Sequence, residues 1–172
     1  MHRQRRHLAI ATGVGGLVLA SGAAWWTWGR GATRLPDDLS VTLLDGRRLD
    51  RQALQGRVVL VNFWATTCAV CVAEMPEFTA LHERWHARGL QTLAVAMPYD
   101  PPARVANFAE QRQLPFGVVI DLGGVVVRQL GPVTGTPTTL LVDAGGRIVE
   151  RIVGRPDFAA LDRRIGTLLG AG

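Results

Sequence analysis

The stretch NFWATTCAVCVAEMP, residues 62–76, decides how this sequence is interpreted, because it holds both cysteines of the chain, Cys68 and Cys71. A C-x-x-C pair serves as a redox dithiol, as half of a zinc site, as the attachment point of a c-type haem, or as an inert structural bridge. Each use requires different neighbouring residues and a different place in the fold. The residues on either side of the pair therefore have to discriminate among these uses.

The cysteine pair lies where a buried strand passes into a helix. The run RVVLVNFWA, residues 57–65, is almost continuously apolar, which is typical of a strand buried on both faces. From residue 68 to about residue 88, apolar residues recur with helical spacing, namely Met75, Phe78, Leu81 and Trp85. The sequence thus predicts that Cys68 stands at the start of a helix.

Further strand and helix patterns alternate along the chain. We expect two short strands within 41–49 around an Asp-Gly turn, strands at 90–98 and 116–121, and a hairpin within 136–154 that turns at 143–146. Helices are expected at 103–114, 123–131 and 156–169. This order indicates an α/β fold, with a mixed β-sheet flanked by helices on both faces.

The N-terminus has the pattern of a membrane anchor. Arg3, Arg5 and Arg6 precede an uncharged run, residues 8–28, that is long enough to cross a bilayer as a helix. Tryptophans cluster at its far end, as is typical of a membrane interface, and the arginines favour the cytoplasmic side. A cleaved signal peptide and a twin-arginine export signal are alternatives for the same residues.

These features predict the domain organisation and the location. Residues 1–28 are expected to be a signal-anchor with one transmembrane helix, residues 29–38 a linker, and residues 39–172 the folded domain. The protein is then a single-pass protein of the inner (cytoplasmic) membrane, and its folded domain faces the periplasm or cell exterior.

Composition excludes several classes of protein. The net charge is +5, but three of the basic residues precede Leu8, and the other 16 stand against 14 acidic residues. That balance does not predict nucleic-acid binding. All 19 basic residues are arginine, so no lysine is available for catalysis. Two cysteines form at most one internal bridge, so the chain is not a disulfide-framed domain.

Two uses of the cysteine pair conflict with its surroundings. Covalent haem attachment requires a histidine directly after the second cysteine, where this chain has Val72. Zinc binding could recruit His82 and His86, but about three helical turns separate them from the cysteines. No metal site is therefore expected, and the two histidines are interpreted as residues of an exposed helix face.

A redox dithiol fits the position of the pair. The positive end of a helix stabilises a thiolate at Cys68, and the thiolate is the reactive form of cysteine. Cys71 follows one turn later on the same face, so it can close a disulfide with Cys68. An inert structural disulfide remains an alternative, because oxidising compartments form such bridges readily.

The residues around the pair also resemble a known family. The stretch VNFWATTCAVCVAEMPEF is similar to the active-site strand and helix of the thioredoxin superfamily, and within it to the membrane-anchored TlpA/ResA-type thiol-disulfide reductases. The resemblance extends from about Leu39 to Leu169 and includes the later motif GTPTTLLVDAGGRIV. It implies a thioredoxin-like fold.

The resemblance implies roles for individual residues. Cys68 corresponds to the nucleophile, Cys71 to the resolving cysteine and Glu74 to an acidic residue near them. Such a carboxyl raises thiol pKa values by charge repulsion and can relay a proton to the leaving thiolate. An alternative for Glu74 is a solvated helix residue. Asn62 stands where cytoplasmic thioredoxins have a buried aspartate.

Substrate contacts are implied in the same way. The Thr136–Pro137 bond is expected to be cis, with Pro137 facing the disulfide and the backbone of Thr136 pairing with an extended substrate segment. Trp64 and Thr67 complete the expected substrate-binding residues. Two features depart from the family, since Ala69-Val70 lacks the common proline and Thr67 replaces an aromatic residue.

The resemblance implies a thiol-disulfide oxidoreductase, an enzyme that reduces disulfides of exported proteins and needs no cofactor. Apocytochrome c in cytochrome c maturation is one implied substrate, and a membrane electron donor of the DsbD/CcdA type is an implied partner. A thiol peroxidase of the same fold is an alternative, although Ala65 occupies the position of the threonine that peroxidatic sites use. A non-catalytic binding module with a structural disulfide is another.

Overall fold

The computed structural model describes residues 33–170. The predicted membrane-spanning segment and the first residues of the predicted linker lie outside this range. Across residues 33–170, no helix combines the length and the apolar character that crossing a membrane requires.

Two short strands precede the central sheet. β1 (Ser40–Thr42) and β2 (Arg48–Asp50) pair in antiparallel orientation around the predicted Asp-Gly turn. Gly46 adopts a φ of 84°, a left-handed conformation in which glycine carries no steric penalty. The folded part begins before the predicted boundary at Leu39, because Leu35 is 3% exposed and its N–H donates to the carbonyl of Gly146 at 2.8 Å.

The central sheet is mixed, as predicted. Its strands are β3 (Val58–Trp64), β4 (Leu90–Ala96), β5 (Gly117–Ile120), β6 (Thr138–Val142) and β7 (Ile148–Val153). Their order across the sheet is β5-β4-β3-β6-β7, with β3, β4 and β5 parallel and β6 antiparallel to both of its neighbours. β3 therefore occupies the centre, where it is paired on both edges.

Within residues 33–170, four α-helices flank the sheet. α1 (Ala69–Trp85) leads into a short 3-10 turn (His86–Arg88), and α2 (Pro102–Gln111), α3 (Val125–Gln129) and α4 (Phe158–Leu168) follow. The helices predicted at 103–114, 123–131 and 156–169 are confirmed with shifted ends. Asp157 caps α4, because its Oδ1 accepts the N–H of Ala160 at 3.0 Å.

The sheet separates two apolar cores, and β3 supplies both. Its alternate residues Val58, Leu60 and Trp64 face α1, α2 and α4, whereas Val59, Val61 and Phe63 face the β1–β2 hairpin and α3. Side chains of a strand alternate between faces, so the continuous apolar run in the sequence reflects burial on both sides. Asn62 shares the face of Leu60 and Trp64, which directs its side chain toward α1.

Candidate active site

Cys68 and Cys71 form a disulfide at the start of α1. Their Cα atoms lie 5.2 Å apart. Cys68 is the N-cap residue of the helix, and its Sγ accepts the backbone N–H of Cys71 at 3.2 Å. Cys68 is half-buried whereas Cys71 has no exposed surface. Of the two sulfurs, that of Cys68 is the one accessible to an incoming partner.

A tight turn connects β3 to this helix. The strand ends at Trp64, and the N–H of Cys68 donates to the carbonyl of Ala65 at 3.1 Å, so residues 65–68 form one turn. The helix then begins at Ala69, and its unpaired N–H groups point back toward Cys68. The predicted position of Cys68 at the helix start is thus confirmed.

Glu74 lies about two helical turns after Cys68 and is buried on the inner face of α1. It has no exposed surface, and its Oε1 accepts from Nδ2 of Asn62 at 3.4 Å. The same Asn62 amide donates to Oγ1 of Thr139 on β6 at 3.3 Å. Oε2 of Glu74 finds no hydrogen-bond partner among residues 33–170. The alternative of a solvated helix residue is therefore wrong for Glu74.

Burial changes the ionisation of this carboxyl. Loss of water raises the pKa of Glu74 from 4.5 to about 7, against the smaller lowering influences of the Asn62 amide and the Arg155 charge. Glu74 is therefore poised to exchange a proton near neutral pH. A carboxyl with such a pKa is suited to supply or remove a proton during thiol chemistry.

The peptide bond between Thr136 and Pro137 is cis, as expected. β6 begins directly afterwards, with Thr138 opposite Phe63 of β3, so Pro137 lies at the same end of the sheet as the disulfide. The carbonyl of Pro137 accepts the N–H of Gly154 at 2.8 Å. Pro137 is buried and Thr136 is half-buried. Their contacts with substrate stay a prediction.

The other two predicted substrate residues differ in exposure. Thr67 is exposed beside Cys68, where a partner can reach it. Trp64 has 0% exposure, and its ring packs against Phe108 of α2 at a centroid distance of 5.0 Å. Contact between Trp64 and substrate stays a prediction. Its indole lies in the apolar core between β3 and the helices that cover this face of the sheet.

His82 of α1 and His86 of the 3-10 turn are not both exposed, contrary to the prediction. Nδ1 of His82 lies 3.2 Å from Oγ1 of Thr92, and its ring packs edge-on against Phe116. This burial and the charge of His86 lower the pKa of His82. His86 itself is exposed and stacks on His82 with ring centroids 5.0 Å apart.

Sequence reasoning missed Asp100, which is 2% exposed. It follows β4, and its carboxylate accepts both the N–H and the hydroxyl of Thr66 at 2.6 Å each. The available signal was positional, since polar residues just beyond the carboxyl ends of parallel strands meet at one edge of a sheet. Thr139 was also missed, because its contact with Asn62 joins strands far apart in sequence.

Comparison with known proteins agrees with this geometry. A family model named Redoxin matches residues 31–165. The thiol-disulfide oxidoreductase ResA of Bacillus thuringiensis subsp. konkukian is 33% identical over 114 residues, which cover 66% of this chain and 65% of that protein. This chain thus spans just under two thirds of the length of that relative.

Two further similarities extend over more of the chain. ResA of Geobacillus kaustophilus is 32% identical over 133 residues, which cover 76% of this chain and 74% of that protein. A thiol:disulfide interchange protein of the thioredoxin family from Chlorobium tepidum has a solved structure that matches with a TM-score of 0.71 and 27% identity, over 82% of this chain and 100% of that one. Together with the disulfide at the helix start, these matches establish that the chain belongs to the Redoxin family, as a ResA/TlpA-type member of the thioredoxin superfamily.

Proposed function

We propose that this protein is a thiol-disulfide oxidoreductase that reduces disulfides of exported proteins. The observation that carries the proposal is the asymmetry of the pair, in which Cys68 is accessible at a helix start and Cys71 is buried behind it. Relatives that bear the name thiol-disulfide oxidoreductase support the same activity. An attacking thiol beside a resolving thiol is sufficient for disulfide exchange.

The reaction proceeds in two exchanges. In the reduced protein, the thiolate of Cys68 attacks one sulfur of the substrate disulfide, which forms a mixed disulfide and releases the other substrate sulfur as a thiolate that takes up a proton. Cys71 loses its proton and attacks Sγ of Cys68, and this second exchange releases the remaining substrate thiol. Two electrons pass to the substrate, and the Cys68–Cys71 disulfide is left behind.

Glu74 fits the proton steps and the direction of this reaction. Its pKa of about 7 allows it to take the proton of the buried Cys71 thiol and return it during recharging. In its ionised form it repels a thiolate nearby, which destabilises the reduced state. A destabilised dithiol gives up its electrons more readily, so this feature favours a reductant over an oxidant.

The surface around the disulfide suits a polypeptide substrate. Among residues 33–170, five large apolar side chains at or beyond the strand ends on this edge of the sheet are more than a third exposed: Val70, Tyr99, Leu122, Val125 and Val153. Exposed apolar side chains concentrated at one edge are typical of a surface that contacts another protein.

The proposed setting follows from the N-terminal sequence. The arginines before residue 8 and the uncharged run 8–28 support a single-pass protein of the inner membrane, with its disulfide on the extracytoplasmic side. After each reaction, the oxidised protein would need a membrane electron donor of the DsbD/CcdA type to reduce its disulfide. Apocytochrome c, which must have reduced cysteines before haem attachment, is the substrate we favour.

Trapping tests the activity and identifies the partners together. A Cys71→Ser variant lacks the resolving thiol, so mixed disulfides at Cys68 should accumulate in the native membrane and be visible by non-reducing electrophoresis and mass spectrometry. A Cys68→Ser variant is the matched control and should capture far less, because its remaining thiol is buried. Equal capture by both variants, or none by either, contradicts the proposal.

A further inference from the structure

Asp100 contacts the loop that leads into the disulfide and has no part in the exchange described above. It is 2% exposed, and both oxygens of its carboxylate accept hydrogen bonds from the same residue, Thr66. Each of the two hydrogen bonds measures 2.6 Å. Charge-assisted bonds of this kind are about twice as strong as neutral ones. The buried Asp100 carboxylate therefore hydrogen-bonds to the loop between β3 and Cys68.

Backbone hydrogen bonds hold the segment that presents Asp100. The N–H of Met97 donates to the carbonyl of Trp64 at 2.9 Å, and the N–H of Asp100 donates to the carbonyl of Met97 at 2.9 Å. Pro101 follows at once, which limits the backbone of Asp100 to extended conformations. The backbone that carries the carboxylate is therefore attached to the end of β3 independently of the two hydrogen bonds to Thr66.

Thr66 lies within the turn that leads into Cys68. The Cys68 N–H to Ala65 carbonyl bond closes that turn, so Thr66 occupies one of its two central positions. The ends of such a turn lie within about 7 Å of each other. The Asp100 carboxylate thus hydrogen-bonds to a residue of the turn that ends at Cys68.

We propose that Asp100 is a positioning residue of the thiol-disulfide site, which anchors the turn that leads into Cys68 and whose negative charge opposes ionisation of the Cys68 thiol. This inference rests on the proposed function, in which Cys68 is the nucleophile. The charge counteracts the helix terminus, which favours the thiolate. Because a less stable thiolate makes a dithiol more reducing, Asp100 contributes to the reductant character of the site.

Other charges around Cys68 have to be held constant in a test. Ionisable groups on the neighbouring elements include Glu74 on α1, the Glu77–Arg155 ion pair at 2.6 Å, the exposed Arg104 in the first turn of α2, Tyr99 beside Asp100 and the buried Asp121 after β5. Residues 133–137, the loop before β6, include none. Substitutions at positions 66 and 100 leave all of these groups unchanged.

Two substitutions separate the charge from the anchor. Asp100→Asn removes the charge but keeps an oxygen for the Thr66 N–H and an amide that can donate to the Thr66 hydroxyl. Thr66→Val removes the hydroxyl and leaves the charge and the backbone bond, and Thr66→Ser is its control because it retains the hydroxyl. All three are made in the full chain that also contains Cys71→Ser, so that Cys68 is the single thiol.

The measurement is the rate of Cys68 alkylation by iodoacetamide against pH. In Asp100→Asn we expect the midpoint of this pH profile to fall by about half a pH unit or more, which is about a threefold change in the acid dissociation constant of the Cys68 thiol. Thr66→Val should lower the melting temperature relative to Thr66→Ser without moving the midpoint downward. In the two-cysteine protein, Asp100→Asn should raise the reduction potential.

Two outcomes overturn the inference. If Asp100→Asn has the midpoint of the parent protein, its charge does not act on Cys68. If Thr66→Val lowers the midpoint as much as Asp100→Asn does, loop position and not charge is responsible. Both are distinct from failure of the proposed function, which shows as absence of disulfide reductase activity in the unsubstituted chain with an artificial electron donor.

Discussion

Replacing Glu74 by glutamine should remove a pH dependence of stability that the wild-type protein has. Glu74 has no exposed surface, and burial raises its pKa from 4.5 to about 7. Between these values the folded state binds more protons than the unfolded chain, so the stability of the wild type falls as pH rises. Glutamine is neutral at every pH and has nearly the same shape.

The size of the effect follows from the shift in pKa. At about 1.4 kcal/mol per pKa unit, the change in the pKa of Glu74 from 4.5 to about 7 lowers the free energy of unfolding by about 3 kcal/mol. The loss is absent below pH 4.5, grows as the unfolded chain ionises, and is complete above pH 7 once the folded carboxyl also ionises. The stability of Glu74→Gln relative to wild type should therefore rise by about 3 kcal/mol from acid to alkaline pH.

Urea unfolding of the oxidised proteins, followed by circular dichroism at a series of pH values, measures this difference. With the disulfide closed, the cysteines do not titrate, and all other ionisable groups are common to both proteins. Glu77→Gln is the matched control on the same helix, because Glu77 is partly exposed and pairs with Arg155. A wild-type to Glu74→Gln difference that stays constant from pH 4 to pH 9 refutes the reasoning.

Two further predictions concern the thiols and the last helix. In the reduced protein, Glu74→Gln should lower the pKa values of the thiols, because it removes a carboxylate that repels them, and titration by alkylation that detects no change contradicts a role for Glu74 in the site. Asp157→Ala should destabilise the protein by about 1 kcal/mol, because Asp157 caps α4 through the N–H of Ala160. Asp157→Asn retains the acceptor and should lose much less in the same urea titration, whereas equal losses argue against capping.

Local patterns in the sequence predicted most of the fold. The apolar run before Cys68 predicted a strand buried on both faces, and β3 is such a strand at the centre of the sheet. Turn residues predicted the β6–β7 hairpin, and helical spacing predicted α1. These features depend on residues close together in the chain, so a single sequence contains the information.

Errors arose where burial depends on a partner element. His82 was expected to be exposed, but β4 places Thr92 beside it, and α1 turns that side toward the sheet. The packing of Phe108 from α2 against the ring of Trp64 was likewise not predicted. Helical periodicity predicts which residues share a face, and it does not predict how far the neighbouring elements cover that face.

The sequence by itself determined the chemistry of the site: two cysteines one turn apart at the start of a helix, with a nearby acidic residue. Tertiary structure decided how that chemistry is controlled. It buries Glu74 beside Asn62 of β3, which shifts its pKa, and it brings Asp100 from the end of β4 to the turn before Cys68. Both effects are electrostatic, and they depend on distances and water exclusion that arise only when strands distant in sequence pack together.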